Sequence, residues 1–231
     1  MPRIILVGGG SSSGKTFVTS SVVKTLGGGE GVTTIALDDY YKDQSDIPLQ
    51  ERVVTNYDHP KAFDWPLIRR QLQALKQGKS IEKPTYDFVN HTRSKVTEII
   101  EPKPLIIVEG IMALVDKSLR ELGDLKVFID ASAERRFLRR MIRDTKERGR
   151  SFDGVVAQYF ATVQPMYDEI VKPSSMYADL IINNDGVKNR AVEVLRCVFE
   201  EQYRLALAGV DASAPQSDEF DHATLDGVFK K

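Results

Sequence analysis

The stretch Ile4-Ile5-Leu6-Val7-Gly8-Gly9-Gly10-Ser11-Ser12-Ser13-Gly14-Lys15-Thr16 decides the fold. Ile4 to Val7 is a short apolar run that stops at glycines, the form of a strand buried on both faces of a parallel sheet. Thr16 to Leu26 then reads as a helix ended by Gly27-Gly28-Gly29. Between them, Gly9–Thr16 matches G-x-x-x-x-G-K-[ST] in the strand-to-helix setting that pattern requires. Glycines let the backbone wrap a phosphate with its N–H groups pointing inward, and the helix that follows turns its positive end toward the anion. Gly9, Gly10, Ser11, Ser12, Ser13 and Gly14 are therefore expected to cradle nucleotide phosphates. Lys15 supplies a point charge for the β- and γ-phosphates, and the Thr16 hydroxyl is a Mg²⁺ ligand. The alternative, an ordinary Gly/Ser turn before a helix, fits the context poorly.

The rest of the chain repeats the alternation. Val32 to Leu37, Leu105 to Val108, Leu125 to Ile129 and Leu180 to Ile182 read as further strands, the first three ending at Asp38, Glu109 and Asp130. Asp64 caps a helix with Pro66 in its first turn that runs to Gln77 and stops at Gly78. Ser132 caps another, Ala133 to Arg148, with Leu138, Met141 and Ile142 as its apolar stripe. A helix over Asp153–Val171 is expected to be interrupted by Pro165, and Val187–Leu207 is the last. Residues 40–63 read as a loop, and 82–100 as a hairpin outside the main sheet. The pattern predicts an α/β, three-layer fold of the P-loop NTPase type with a parallel five-stranded sheet. Residues 1–208 form one domain, with 40–100 a substrate-binding insertion, 135–158 an arginine-rich lid and 209–231 a flexible tail.

Composition narrows the setting. Of 231 residues, 42% are hydrophobic and 28% charged, which describes a globular chain. The longest mostly apolar run, Leu105–Val115, is too short to span a bilayer and holds Glu109. Met1-Pro2-Arg3-Ile4 lacks the layout of a secretory signal, and a lone cysteine, Cys197, forms no internal disulfide; both point to the cytoplasm. A net charge of −1 argues against general nucleic-acid binding. Residues 135–150 nevertheless carry eight Lys/Arg against two acids, a local surplus suited to a small anionic ligand.

Asp38 and Glu109 end apolar runs, so both belong at the carboxyl edge of the sheet, where the phosphate loop emerges and open α/β sheets bind ligands. Glu109 suits a metal role beside Thr16. Asp38, followed by an exposed-looking Asp39-Tyr40-Tyr41, suits a general base that takes a proton from an attacking hydroxyl. A single acid at a strand end is as often a loop cap; two at the same edge as a phosphate loop favour function. Asp130 leads into a helix and reads as structural. Arg136, Arg140 and Arg143 share one helical face, and Arg148 and Arg150 flank Gly149. The bland reading is a solvated basic face, which suits Arg135 and Arg139. In a triphosphate-binding protein, the others fit a mobile lid that neutralises charge on a transferring phosphoryl group. D-x-x-G and [NT]-K-x-D are both absent from the sequence, which counts against a guanine-reading switch.

Further segments carry a resemblance: Asp38-Asp39-Tyr40-Tyr41-Lys42, Asn56-Tyr57-Asp58-His59-Pro60, Ala62-Phe63-Asp64, Pro84-Thr85-Tyr86-Asp87-Phe88, His91-Thr92-Arg93, Val108-Glu109-Gly110-Ile111, Arg139-Arg140-Met141-Ile142-Arg143-Asp144, Glu147-Arg148-Gly149-Arg150 and Tyr177-Ala178-Asp179. With Gly9–Thr16 they resemble, in order over roughly residues 4–185, the uridine/cytidine kinases of the phosphoribulokinase and uridine kinase group. The resemblance implies transfer of the γ-phosphoryl group of ATP or GTP, with Mg²⁺, to the 5′-hydroxyl of uridine or cytidine. It implies Asp38 as general base with Lys15, Arg143 and Arg148 as catalytic partners, and Thr16 and Glu109 at the metal. Asp58, Arg140 and Gln158 would hold the ribose; Tyr86 and His91 would read the pyrimidine edge, with Tyr57 and Phe88 packing the ring. Arg150 would close over the phosphates with Arg143 and Arg148. It also suggests a homotetramer and feedback by pyrimidine triphosphates.

Read without the resemblance, Tyr57 and Phe88 are ordinary core aromatics, His59 structures its own loop, His222 has no role, and Cys197 is core packing with Val194 and Val198. Two rivals stay open: a related kinase acting on a sugar phosphate or pantothenate, and a non-catalytic nucleotide-binding regulator.

Overall fold

The computed structural model describes residues 1–26, 30–186 and 190–209. Seven strands are described: β1 (Arg3–Gly8), β2 (Val32–Ala36), β3 (Ile81–Asp87), β4 (Thr92–Ile100), β5 (Leu105–Glu109), β6 (Leu125–Asp130) and β7 (Leu180–Asn183). Among them run helices α1 (Lys15–Thr25), α2 (Leu49–Val53), α3 (Trp65–Lys76), α4 (Lys117–Leu122), α5 (Ala133–Lys146), α6 (Phe152–Gln158), α7 (Gln164–Met166) and α8 (Arg190–Ala208). Five strands form one parallel sheet in the order β2-β5-β1-β6-β7, and β3-β4 form a separate antiparallel pair. The expected fold class and sheet are present.

Alternation along β1 builds the layers. Ile4 and Leu6 join the core under α3, with Ile68, Leu72 and Phe63. Ile5 and Val7 face the opposite core, with Val18 and Val22 of α1 and Leu195 and Phe199 of α8. Successive side chains of a strand point to opposite faces, so an unbroken apolar run is what a central strand covered on both sides needs. In register, Val7 of β1 lies beside Glu109 of β5, and Ala36 of β2 beside Glu109 on the other side. Asp38 follows in a 3₁₀ turn, Leu37–Tyr40. The phosphate loop, Asp38 and Glu109 thus share one edge.

Several expectations are corrected. The 40–63 loop holds α2 and a 3₁₀ turn, Pro60–Ala62. Asp39-Tyr40-Tyr41 is not exposed: Tyr40 and Tyr41 are buried, Tyr40 donating its hydroxyl to Gln71 Oε1 at 2.8 Å. Pro165 does not interrupt its helix, because π-helical turns at Tyr159–Val163 and Tyr167–Val171 flank it and shift the hydrogen-bond ladder around the missing donor. Cys197 is exposed, and so is Val194; the buried stripe of α8 is Ala191, Leu195 and Phe199 at four-residue spacing. On α5, Leu138 and Ile142 are exposed and the buried face is Arg136, Arg140, Met141 and Asp144. That helix turns its polar face inward, over the phosphate loop. The Gly27–Gly29 helix stop, residues 187–189 of the last helix and the tail beyond Gly209 lie outside the described residues.

Candidate active site

The loop is built for an anion. Gly9 and Gly14 adopt φ of 143° and 98°, conformations that side chains resist; a Cβ on Gly14 would strike Asn184 Nδ2. Gly14 sits at the N-cap of α1 without a side-chain cap, so the first N–H groups of the helix stay free for phosphate. Asn184 Nδ2 and Arg139 Nη1 hold the Ser13 carbonyl at 2.8 and 3.2 Å. Arg139 is therefore no solvated residue: it pins the loop, while Arg135 is exposed as expected. The Ser12 and Ser13 hydroxyls are buried without hydrogen-bond partners among the described residues. Lys15 Nζ donates to the carbonyls of Gly9 and Gly10 at 3.0 and 2.9 Å.

Two cavities meet at this edge. One, of about 460 Å³, is lined by Ser11, Ser12, Gly14, Lys15, Thr16 and Glu109, with Phe17 and Arg139. The other, of about 600 Å³, is lined by Tyr57, Asp58, Tyr86, Phe88, His91, Arg140, Arg150 and Gln158, all singled out from the sequence. Ser11, Asp38, Ile111, Arg143, Glu147 and Arg148 line both. Asp38 and two arginines thus stand at the boundary of a phosphate-side and an aromatic cavity. Gly9, Gly10 and Ser13 form the back of the loop and line neither.

The aromatic wall comes from the hairpin and the 41–63 segment. Tyr41 packs edge-on against Tyr57 and Tyr86, centroids 5.1 Å away in each case, and Tyr86 against Phe88 at 5.2 Å. His91, at the hairpin turn with φ 50°, stacks obliquely near Tyr57 at 5.6 Å. Phe88 is 46% exposed and Tyr57 half-buried, so neither is a plain core aromatic. Tyr57 is fixed through its hydroxyl, which donates to the Arg52 carbonyl at 3.0 Å and accepts from Gln44 Nε2 at 2.7 Å. The Tyr86 hydroxyl is buried beside Tyr57 and Gln44, and burial raises it above the ordinary phenol range. His59 Nδ1 accepts from Lys61 N at 3.0 Å and structures its loop, as expected.

Arginines form the roof around one carboxylate. Asp144 is fully buried, with Arg143 Nε at 2.8 Å, Arg140 Nε at 3.5 Å, Arg148 Nη1 at 3.7 Å and Arg150 Nη1 at 3.9 Å. Arg140 also reaches Ser11 Oγ and Gln158 Oε1, both at 2.9 Å, and Arg150 donates to the same Gln158 oxygen at 2.5 Å. Arg136 does not face either cavity; its guanidinium lies 3.5 Å from the Tyr167 ring centroid, beneath the loop at Gly10. Asp130 is structural, accepting from Tyr167 OH at 3.2 Å and Lys172 Nζ at 3.0 Å.

Burial sets the protonation of the site. It pushes the Asp38 carboxyl above the ordinary range, against the pull of Lys15 and Arg148. Burial likewise raises Asp58 and Glu109, opposed by Arg140 and by Lys15 respectively, and lowers Lys15. It also lowers His91, with Arg150 adding to the effect, so the imidazole is neutral near pH 7 and offers one donor and one acceptor. For Asp144, burial acts upward but Arg143 and Arg140 outweigh it and hold the carboxyl below its usual range. A Mg²⁺ ion fits the phosphate side: Thr16 Oγ1 donates to Glu109 Oε1 at 2.7 Å, bringing two hard oxygen ligands together. Among the described residues no cluster of three or more His, Cys, Asp or Glu is placed to hold a metal.

The sequence gives Tyr41, Gln44, Asp144 and Asn184 no part in the site and puts Arg139 on a solvated face. Asp144 had a legible signal, four residues from both Arg140 and Arg148. Asn184 and Gln44 had none, since only the fold brings them to the site.

The family model for the phosphoribulokinase / uridine kinase family matches residues 4–191. A uridine kinase of Deinococcus deserti is 50% identical over 194 residues, 84% of this chain and 93% of that protein. A uridine kinase of Staphylococcus aureus is 50% identical over 192 residues, 83% and 92% of the two chains. The structure of phosphoribulokinase from Rhodobacter spheroides shares the fold with a TM-score of 0.60 at 17% identity, covering 79% of this chain and 70% of that one.

Proposed function

The chain belongs to the phosphoribulokinase / uridine kinase family, and from that premise we propose that it is a pyrimidine nucleoside kinase. It transfers the γ-phosphoryl group of ATP or GTP to the 5′-hydroxyl of uridine or cytidine, giving the monophosphate. The observation that carries this reading is Asp38 at the boundary of a phosphate cavity and a half-aromatic cavity of nucleoside size. Uridine kinases at 50% identity over most of the chain support the same acceptor.

Each residue has a part. The loop from Gly9 to Gly14 and Lys15 hold the donor phosphates, Lys15 leaving the Gly9 and Gly10 carbonyls for them. Thr16 and Glu109 would hold Mg²⁺, which when bound would offset phosphate charge. Asp58, Arg140 and Gln158 fix the ribose, and Tyr86 and His91 meet the polar edge of the base, whose faces lie against Tyr57 and Phe88. Asp38 accepts the proton of the 5′-hydroxyl as its oxygen bonds to phosphorus and the donor's β–γ bridging bond breaks. A raised carboxyl serves this better, because a weak carboxylate base gains proton affinity from burial. Arg143, Arg148 and Arg150 offset charge on the transferring group and keep water out.

A soluble, cytoplasmic enzyme that assembles as a homotetramer completes the proposal. Among the described residues no helix is long and apolar enough to cross a membrane, and exposed Leu138, Ile142, Phe152 and Phe160 supply apolar surface for self-association. The test of function is product formation: uridine with Mg-ATP yields the 5′-monophosphate, and Asp38→Asn lowers kcat by about 10²–10⁴-fold while nucleotide still binds. No monophosphate from uridine or cytidine, with ATP and GTP both tried, would favour the non-catalytic regulator.

A further inference from the structure

The hairpin that carries Tyr86, Phe88 and His91 stands outside the main sheet, yet polar ties join it to the segment that carries Asp38. Lys83 of β3 forms an ion pair with Asp39 and a second, at 3.2 Å, with Glu98 across the hairpin. Gln71 links Tyr40 to β3, accepting from the Tyr40 hydroxyl at 2.8 Å and donating to the Glu82 carbonyl at 2.7 Å. Arg93 Nη2 of β4 donates to the Tyr41 carbonyl at 2.9 Å.

The Lys83–Asp39 tie differs from the others. It is charged on both sides and largely dry, the Lys83 side chain being 7% and Asp39 22% exposed. A lysine this buried is rare without a partner, and removing one member of such a pair leaves a charge that must find water. Glu98, 55% exposed, can take water instead, so Asp39 is the partner that fixes where Lys83 sits. Asp39 directly follows Asp38 in the 3₁₀ turn, so the backbone that places one places the other. On the other side, the β3–β4 register shifts between Pro84 and Tyr86, immediately beyond Lys83. Anchoring Lys83 therefore sets where Tyr86 emerges into the cavity. Neither Lys83 nor Asp39 lines that cavity.

We propose that Lys83 is a positioning residue: by pairing with Asp39 it sets the spacing between the turn bearing Asp38 and the hairpin that reads the acceptor. The proposal rests on the nucleoside kinase reading for its chemistry. Proton transfer needs the acceptor hydroxyl in hydrogen-bond reach of Asp38, and a displacement of about 1 Å costs up to about a hundredfold.

The test measures kcat and both KM values in the full chain for Lys83→Met, Lys83→Arg, Asp39→Asn, the Lys83→Met/Asp39→Asn double variant and Glu98→Gln. Lys83→Met is expected to lower kcat with uridine about ten- to hundredfold, with the donor KM changed less than about twofold. Lys83→Arg keeps the charge and restores most of that loss. The double variant is no worse than the poorer single, because both break the same tie. Glu98→Gln stays within about twofold of the parent, as an exposed pair should. Losses that add in the double variant, an unchanged kcat in Lys83→Met, or a Glu98→Gln defect equal to that of Lys83→Met would overturn the proposal. Hydrogen exchange provides a readout that needs neither activity nor the Lys83 variants. In unliganded Asp39→Asn, the amides of Asp38–Tyr41 are expected to exchange faster than in the parent, and unchanged exchange there overturns the strut. A parent protein inactive on both pyrimidine nucleosides would overturn the functional reading, leaving exchange to decide the strut.

Discussion

Asp38 carries a cost that its proposed role as general base explains. Burial raises its carboxyl above the ordinary range despite Lys15 and Arg148 nearby. The folded protein therefore holds that proton more tightly than the unfolded chain, and Asp38 lowers stability as pH rises through its raised value. Asp38→Asn is expected to lose kcat and to raise the melting temperature of the unliganded protein at pH 7, seen by thermal denaturation beside the kinetics. For the same reason kcat is expected to fall on the acid side at a pH above the ordinary carboxylate range, and Asp38→Asn to remove that limb from its residual activity. His91 makes a second residue-scale case. Neutral and half-exposed at the cavity, it offers one donor and one acceptor, so His91→Ala is expected to raise KM for uridine by about tenfold or more and leave the donor KM nearly unchanged. Equal effects on both KM values would remove its role in reading the base.

At the scale of elements, α5 is the informative case. Its sequence pattern marks the arginines as one face and Leu138, Met141 and Ile142 as an apolar stripe; the structure splits that stripe, burying Met141 with Arg136 and Arg140 and leaving Leu138 and Ile142 exposed. Spacing records the faces of a helix, but not what lies beneath it, and here the phosphate loop and Gln158 lie beneath. Asp144 reconciles that choice with the cost of burying charge. Asp144→Asn leaves its arginines without a counter-charge and is expected to destabilise the fold by about 3–5 kcal/mol and to lower kcat, measured by denaturant unfolding and by turnover. Strands, phosphate loop and hairpin were readable because each is a local pattern: an apolar run, glycines at fixed offsets, aromatics between turns. Pro165 misled because a single residue rule does not see the π turns around it. Tyr41 and Gln44 went unassigned because their parts in the site come from contacts with Tyr57 and with the hairpin, distant in sequence.

Across the described residues, the sheet separates two cores, and the aromatic wall of Tyr41, Tyr57 and Tyr86 packs with one of them. Phe199 of α8 is fully buried in the layer with Val18 and Leu195. Phe199→Ala is therefore expected to cost about 3–5 kcal/mol in stability while leaving KM for uridine unchanged at temperatures where the variant stays folded. A raised KM would show that the two layers are coupled. The central claim is the acceptor. Lys15, Asp38, Glu109 and the arginines suit phosphoryl transfer to many alcohols; in the proposed reading, the cavity walled by Tyr57, Tyr86, Phe88 and His91 selects a base-bearing one. The most direct measurement is nucleoside diphosphate release from Mg-ATP and Mg-GTP with uridine, cytidine, a purine nucleoside, pantothenate and ribulose 5-phosphate as separate acceptors. The account predicts turnover with uridine or cytidine and none above background with the others; turnover with pantothenate or ribulose 5-phosphate in place of the pyrimidine nucleosides would contradict it.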